Sequence, residues 1–267
     1  MISRLIVAIL TITPLISVGQ NNSAGVVYYQ FKHQKDTTQP DRFYQEEMML
    51  HFSSSSSLYK SYTWYKDDSA STAGIYQGKT ELPVIKLSKY SFESWYTVFE
   101  KKELYRFQPF IYDTMAIKAE YPTIAWQLQT EQKKISGFLA NKAIGQFKGR
   151  TYEVWYTPEI PVAAGPWKLN GLPGLILEAY DTKRQVVFEF LGFQNTKVDS
   201  RDLLKGKRIL TSSEFNDFGK KLVANPNGVV QGIMGTSTQV NFQKTGNGSD
   251  GSRINGSRNN NPLELTN

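Results

Sequence analysis

The sequence predicts a mainly β, α+β fold: an antiparallel sheet with one or two helices packed on it. Short runs rich in β-branched and aromatic residues recur along the chain, several with strict period-2 alternation. Turn-forming residues separate these runs. One stretch near the end joins a helix start signal to a helical apolar period.

Val26–Phe31 reads as the first strand and Met48–Phe52 as the second. Five serines, Ser53 to Ser57, make a turn into a third strand over 58–65, and the polar residues Lys66 to Thr80 read as a loop. Further strands are expected around Tyr96–Glu100, Leu104–Phe107 and Ile124–Gln129. In Arg150–Thr157, residues Tyr152, Val154 and Tyr156 share one face, with Thr151, Glu153 and Thr157 opposite. Leu175–Tyr180, the turn Asp181–Arg184 and Val186–Leu191 form a hairpin. Thr211-Ser212-Ser213-Glu214 is a capping box, Phe215, Phe218 and Leu222 fall on one helical face, and Asn225-Pro226 ends the helix. The Gly/Ser/Asn-rich stretch 245–261 is expected to be a flexible polar loop or insert, and 262–265 a last short strand.

Residues 1–19 have the pattern of a signal peptide. Arg4 precedes an apolar run from Leu5 to Ile16, and Ser17-Val18-Gly19 offers small residues at a cleavage site. The run is shorter than the ~20 residues a membrane span needs. No cysteine follows it, so the expected product is exported without a lipid anchor. Residues 20–267 then form a single β-rich domain. The chain has no cysteine, which excludes thiol catalysis, disulfides and iron–sulfur clusters, and its two histidines exclude a three-histidine metal site. A chain of this size can stabilise itself by burial alone. The net charge of +7 falls by one with the loss of Arg4 and fits a solvated basic surface or mild attraction to anionic surfaces. No basic cluster or motif points to nucleic acid.

No catalytic constellation is legible. Gly246–Gly251 lacks the spacing and strand-turn-helix context of a nucleophile elbow, and no phosphate- or dinucleotide-binding loop is present. Glu46 and Glu47 are adjacent and face opposite sides of a strand, while Glu153, Glu178 and Glu189 look outward. His33 and His51 read as surface or half-buried side chains. No cofactor is implied.

The stretch Ile160–Ile176 is a string of backbone punctuation. Gly165-Pro166 forbids helix, Asn170-Gly171 suits a type I′ turn and Pro173-Gly174 a type II turn. Leu172, Leu175 and Ile176 pin these turns to the core. Two readings stand together: a packed set of chain reversals, or a rigid loop presented to a ligand or partner.

Gly171-Leu172-Pro173-Gly174-Leu175-Ile176 spells the hexapeptide for which the GLPGLI family of exported bacterial envelope proteins is named, and the chain resembles that family through most of its length. The flanks Lys134–Phe138, Lys142-Ala143, Gly149–Pro161 and Asn261–Leu265 agree with it. Ala140 stands where many members carry a cysteine, so any role of that thiol is absent here. The resemblance implies an address in the periplasm or at the outer-membrane periphery of a Gram-negative bacterium and one GLPGLI-type domain over 20–267, and no reaction. The element order is similar to that of periplasmic lipoprotein-carrier half-barrels, which implies a curled sheet around an apolar ligand. The function expected is thus a non-catalytic binding module that engages an outer-membrane protein or a lipid-like ligand. Trp155, Tyr156, Trp167, Leu172 and Leu175 are the candidate contact residues, and Gly165, Pro166 and Gly171 to Ile176 the structural motif. An envelope scaffold pairing through a sheet edge, or a hydrolase using carboxylates distant in sequence, is the alternative.

Overall fold

The computed structural model describes residues 24–67, 69, 91, 93–110, 113–196, 202–234, 253–254, 257–258 and 260–266. The expected leader, the loop from residue 70 onward and most of the polar stretch 245–261 lie outside these residues.

Twelve strands form one open sheet made of two antiparallel meanders. The first is β1 (Gly25–His33), β2 (Tyr44–Phe52), β3 (Ser56–Ser61), β4 (Ser94–Val98), β5 (Glu103–Phe110) and β6 (Asp113–Ala119). The second is β7 (Gln127–Ile135), β8 (Phe138–Phe147), β9 (Arg150–Thr157), β10 (Leu175–Asp181) and β11 (Val186–Asn195). Antiparallel pairing of β1 with β11 fuses them, so the first strand lies mid-sheet. A two-residue strand, β12 (Ile209–Leu210), adds parallel to β6. β13 (Arg253–Ile254) and β14 (Ser257–Arg258) pair separately.

Turn chemistry sets the second meander. Ser136 and Gly137 both have positive φ (48° and 96°), as do Lys148 and Gly149 (46° and 78°). Two-residue loops with both φ values positive match the twist of the flanking strands, and Ile135 therefore pairs with Phe138 and Phe147 with Arg150. The sheet curls. Phe138 at the start of β8 packs edge-on to Phe190 and Phe193 of β11, across two intervening strands. Tyr59 of β3 likewise reaches Phe188 of β11.

The concave face carries the core: Val27, Tyr29 and Phe31 of β1, Met48, Leu50 and Phe52 of β2, Tyr152, Val154 and Tyr156 of β9, and Ile176 and Ala179 of β10. Helix α1 (Ser212–Ala224) has the expected capping box at Thr211 and Glu214, and its Phe215 and Phe218 pack on Met115, Ile117 and Leu210.

Three expectations are corrected. The third strand ends at Ser61, whose hydroxyl accepts the Trp64 amide at 2.9 Å and caps a helical turn over 62–67. Pro226 ends α1 but also opens a second helix, α2 (Pro226–Met234), at the position where a missing amide costs nothing. Residues 262–265 are an irregular strap rather than a strand, and Asn261, expected in the flexible stretch, is buried.

The motif loop fills the hollow of the sheet. Ile160, Val162, Ala164, Trp167, Leu169 and Leu172 are all buried in the main core. Its amides bond locally: Val162 to the Ile160 carbonyl, Ala164 to Val162 and Gly174 to Leu172, each at 2.8 Å and spanning two residues. Two turn types therefore differ from expectation. Asn170 keeps negative φ beside Gly171 (φ 92°), so no type I′ turn forms. The Leu175 amide bonds to Ile160, not back to Leu172, so Pro173-Gly174 is not a closed type II turn. Gly174 has φ 155°, and a Cβ there would lie 2.2 Å from the Thr157 carbonyl oxygen.

Gly174→Val is therefore expected to lower stability by about 1–3 kcal/mol through backbone strain alone, with further loss from the clash. Urea unfolding of the variant beside the parent measures this, and equal midpoints would contradict the packing described.

Candidate functional site

With the hollow filled by the chain itself, a polar cleft of about 880 Å³ opens on the concave face. Its walls come from distant segments: His33 and Lys35 at the end of β1, Glu93, Trp95 of β4, Arg106 of β5, Ile117 and Ala119 of β6, and residues 120–123. Gln146, Phe147 and Lys148 at the β8–β9 turn, Trp167 and Lys168 of the motif loop, Ser212 of α1 and Pro262–Glu264 of the strap complete it.

Aromatic rings and ion pairs share this lining. Trp167 adopts φ 56°, a left-handed conformation unusual for a bulky residue. It is buried edge-on against Phe147, with ring centroids 5.6 Å apart. The Lys168 ammonium that follows lies 4.0 Å from the Trp95 ring and 5.4 Å from the Trp167 ring, and is ion-paired with Glu264. Lys148 pairs with Glu120 at 3.0 Å and Arg106 with Glu93 at 3.7 Å. Lys35 lies 3.6 Å from the Tyr44 ring.

The strap owes its place to one buried side chain. Arg150 donates through Nε to the Leu263 carbonyl at 3.0 Å, and through Nη1 to Asp181 at 2.7 Å and Gln185 at 3.3 Å. Its Nη2 donates to the Asn261 side chain at 2.7 Å and the Pro262 carbonyl at 2.6 Å. All five guanidinium hydrogens are thereby used. Asn261 passes the connection on, donating from Nδ2 to the Gln34 carbonyl and accepting from His33 Nε2, both at 2.7 Å. The Leu265 amide bonds to the Lys148 carbonyl at 2.9 Å, and Gly149 has no side chain to obstruct Leu265.

His33 is fully buried rather than surface or half-buried as expected, and burial pulls its pKa down to about 4. The imidazole is therefore neutral at pH 7. Donation from Nε2 to Asn261 assigns the proton to that nitrogen. Glu46 is a second buried polar group: it accepts from Tyr44 at 2.6 Å, from Ser61 and from the Ser91 amide at 2.9 Å. Burial still holds its carboxyl above the ordinary value.

Of the five expected contact residues, Trp167 lines the cleft. Tyr156, Leu172 and Leu175 are core side chains. Trp155 caps the opposite face of the sheet, donating to the Tyr180 hydroxyl at 3.1 Å beneath the Lys133 ammonium. Of the expected structural motif, Gly165 gives close approach to Leu169 and Ile176, Gly171 and Gly174 supply the positive φ values, and Pro166 is buried. The Ile176 amide and carbonyl bond to Ala164 and to the Tyr29 hydroxyl. The other lining residues went unidentified because they are scattered from position 33 to 264 with no local spacing. Among the described residues no group of histidines and carboxylates has metal-site geometry, and no helix is long and apolar enough to cross a membrane.

A family model described as "Protein of unknown function (Porph_ging)" matches residues 146–178, from the β8–β9 turn through the motif loop into β10. The structure is similar to PNGF-II solved in space group P21, with 18% identity and TM-score 0.51 over 73% of this chain and 32% of that one. PNGF-II in space group C2 gives 20% identity and TM-score 0.49 over the same shares. The chain thus spans about a third of the PNGF-II chain it matches, and the likeness is one of fold. Among curated proteins, none matches.

The unfolded chain takes up a proton at His33 near the ordinary value of 6.5, the folded chain only near 4. Stability is therefore expected to fall as pH drops through that window, with His51, also lowered to about 4 by burial, adding to the loss. His33→Gln keeps a donor for Asn261 and removes the titration. Urea midpoints at about pH 7 and about pH 4.5 should converge in the variant relative to the parent; an unchanged difference would contradict the buried neutral imidazole.

Proposed function

We propose that the protein is an exported binding module of the GLPGLI type. In this reading residues 1–19 are removed as a leader and the domain works in the periplasm or at the outer-membrane periphery. The observation that carries the reading is the preformed cleft. Its volume, about 880 Å³, falls within the range of small-molecule sites, and charged side chains from seven separate segments converge on it over an aromatic floor. The left-handed Trp167 adds to this, since strained residues cluster where a site is held in shape.

The chemistry of the lining moves the ligand from the apolar molecule implied by the half-barrel likeness toward a polar one. The apolar part of the concave face is already occupied by the motif loop. The carboxylates of the cleft are ion-paired with Arg106, Lys148 and Lys168, an arrangement that fixes charge for recognition. Pairing of a partner strand along the β7 edge is less favoured. That strand carries Lys133 and Lys134 and an irregular register between Leu128 and Gln132, features that blunt an edge.

Native mass spectrometry of the protein drawn gently from its own cell envelope tests the reading. A small-molecule adduct is expected, retained by the parent and lost from Lys168→Gln at equal melting temperature. A bare chain, or an adduct indifferent to that substitution, would contradict it.

A further inference from the structure

The lining of the cleft holds four cations and three carboxylates. Glu93, Glu120 and Glu264 are each matched to Arg106, Lys148 and Lys168. Lys35 is left over: among the described residues it makes no ion pair. Its ammonium rests on the Tyr44 ring, and that ring's hydroxyl is already committed to Glu46. Glu46 in turn is saturated by Tyr44, Ser61 and Ser91, so it acts on Lys35 only through space. The backbone fixes the position, because the Lys35 carbonyl accepts the Asn261 amide at 3.1 Å and ties the residue to the strap.

A half-buried ammonium on an aromatic face, short of solvent and without a direct ion pair, is a receiver for an anion. We propose that Lys35 binds the anionic group of the ligand, so that the cleft selects small ring-bearing molecules with a carboxylate, sulfonate or phosphate. This rests on the reading of the cleft as a ligand site. Trp167, Phe147 and Tyr121 supply the apolar surface for the ring. Ion pairing of the other lining cations leaves Lys35, among the described residues, as the cation of the cleft with no direct ion pair, and an anionic group of the ligand supplies one. Burial lowers the pKa of Lys35, as expected of an ammonium deprived of water, and an incoming anion reverses that penalty.

Two fluorescent probes separate the claims. 8-Anilino-1-naphthalenesulfonate carries the anion, and N-phenyl-1-naphthylamine presents the same rings without it. The folded full chain is expected to bind the sulfonate at least about tenfold more tightly, the worth of one charge-assisted contact. Lys35→Met should bring the sulfonate down to the level of the neutral probe and leave the neutral probe unchanged. Lys35→Arg should keep the preference, which guards against a fold defect in the first variant. Equal affinity for the two probes, or a sulfonate preference that survives Lys35→Met, would overturn the assignment of Lys35 while leaving a binding cleft in place. Binding of neither probe to the folded chain would overturn both.

Discussion

The structure depends on one buried guanidinium. Arg150 sits where β9 begins, and its five hydrogen bonds reach the end of β10, the β10–β11 turn and three residues of the strap. Through Asn261 the connection extends to the end of β1, mid-sheet. The Arg150 and Asp181 side chains are only 2% and 3% exposed, so neither charge has water to fall back on. Removing one partner of such a pair commonly costs about 3–5 kcal/mol, because the other is left buried and alone. An apolar pair of similar volume would stabilise the sheet as well, but it would not hold the strap. The geometry of the β8–β9 turn completes the arrangement: two residues with positive φ place Arg150 at the sheet end, and Gly149 leaves room for Leu265 to lie against the turn.

The strap and the motif loop together decide what kind of cleft the fold offers. A curled sheet of this width has an apolar concave face that must be covered. The loop from Ile160 to Gly174 covers it with Val162, Leu169 and Leu172, and Gly174 at positive φ lets its backbone lie against Thr157 of β9. Pro262 and Leu263 cover the next stretch. The cleft opens at the border where Lys168 and Glu264 meet β4–β6, and there the Lys168–Glu264 ion pair stands on buried Trp95 and Trp167. The polar character of this cleft is thus a consequence of how the hollow is filled.

Much of the sheet was legible because its strands are buried on one face. The alternation of Tyr152, Val154 and Tyr156, the Asp181–Arg184 turn and the Thr211 capping box each state their structure within eight residues. β6 and β8 were not legible at all, and the strand expected around Ile124–Gln129 meets β7 only over residues 127–129. The edge strand Gln127–Ile135 is exposed on both faces and carries no period, and its pairing is dictated by the Ser136-Gly137 turn rather than by burial. Tyr62 and Trp64 looked like strand residues, yet Ser61 offers a local cap that wins over their β preference. The cleft was hidden for a different reason. Lys35, Arg106, Lys148 and Glu264 are ordinary surface-type residues in sequence, and only the curl of the sheet and the Arg150 clamp bring them together. Leu172 and Leu175 stood out because the motif is unusual, but their conformation serves packing. Trp167 was found for the right stretch of chain, and its neighbour Lys168 was missed.

Native-state hydrogen exchange on the full chain tests most directly whether Arg150 makes the strap part of the cooperative fold. The amides of Asn261 and Leu265, bonded to the Lys35 and Lys148 carbonyls, should exchange with the same free energy of opening as Val27 in central strand β1, which means only on global unfolding. Exchange of the two strap amides through local fraying, while Val27 stays protected, would show that the strap lies on the fold rather than within it.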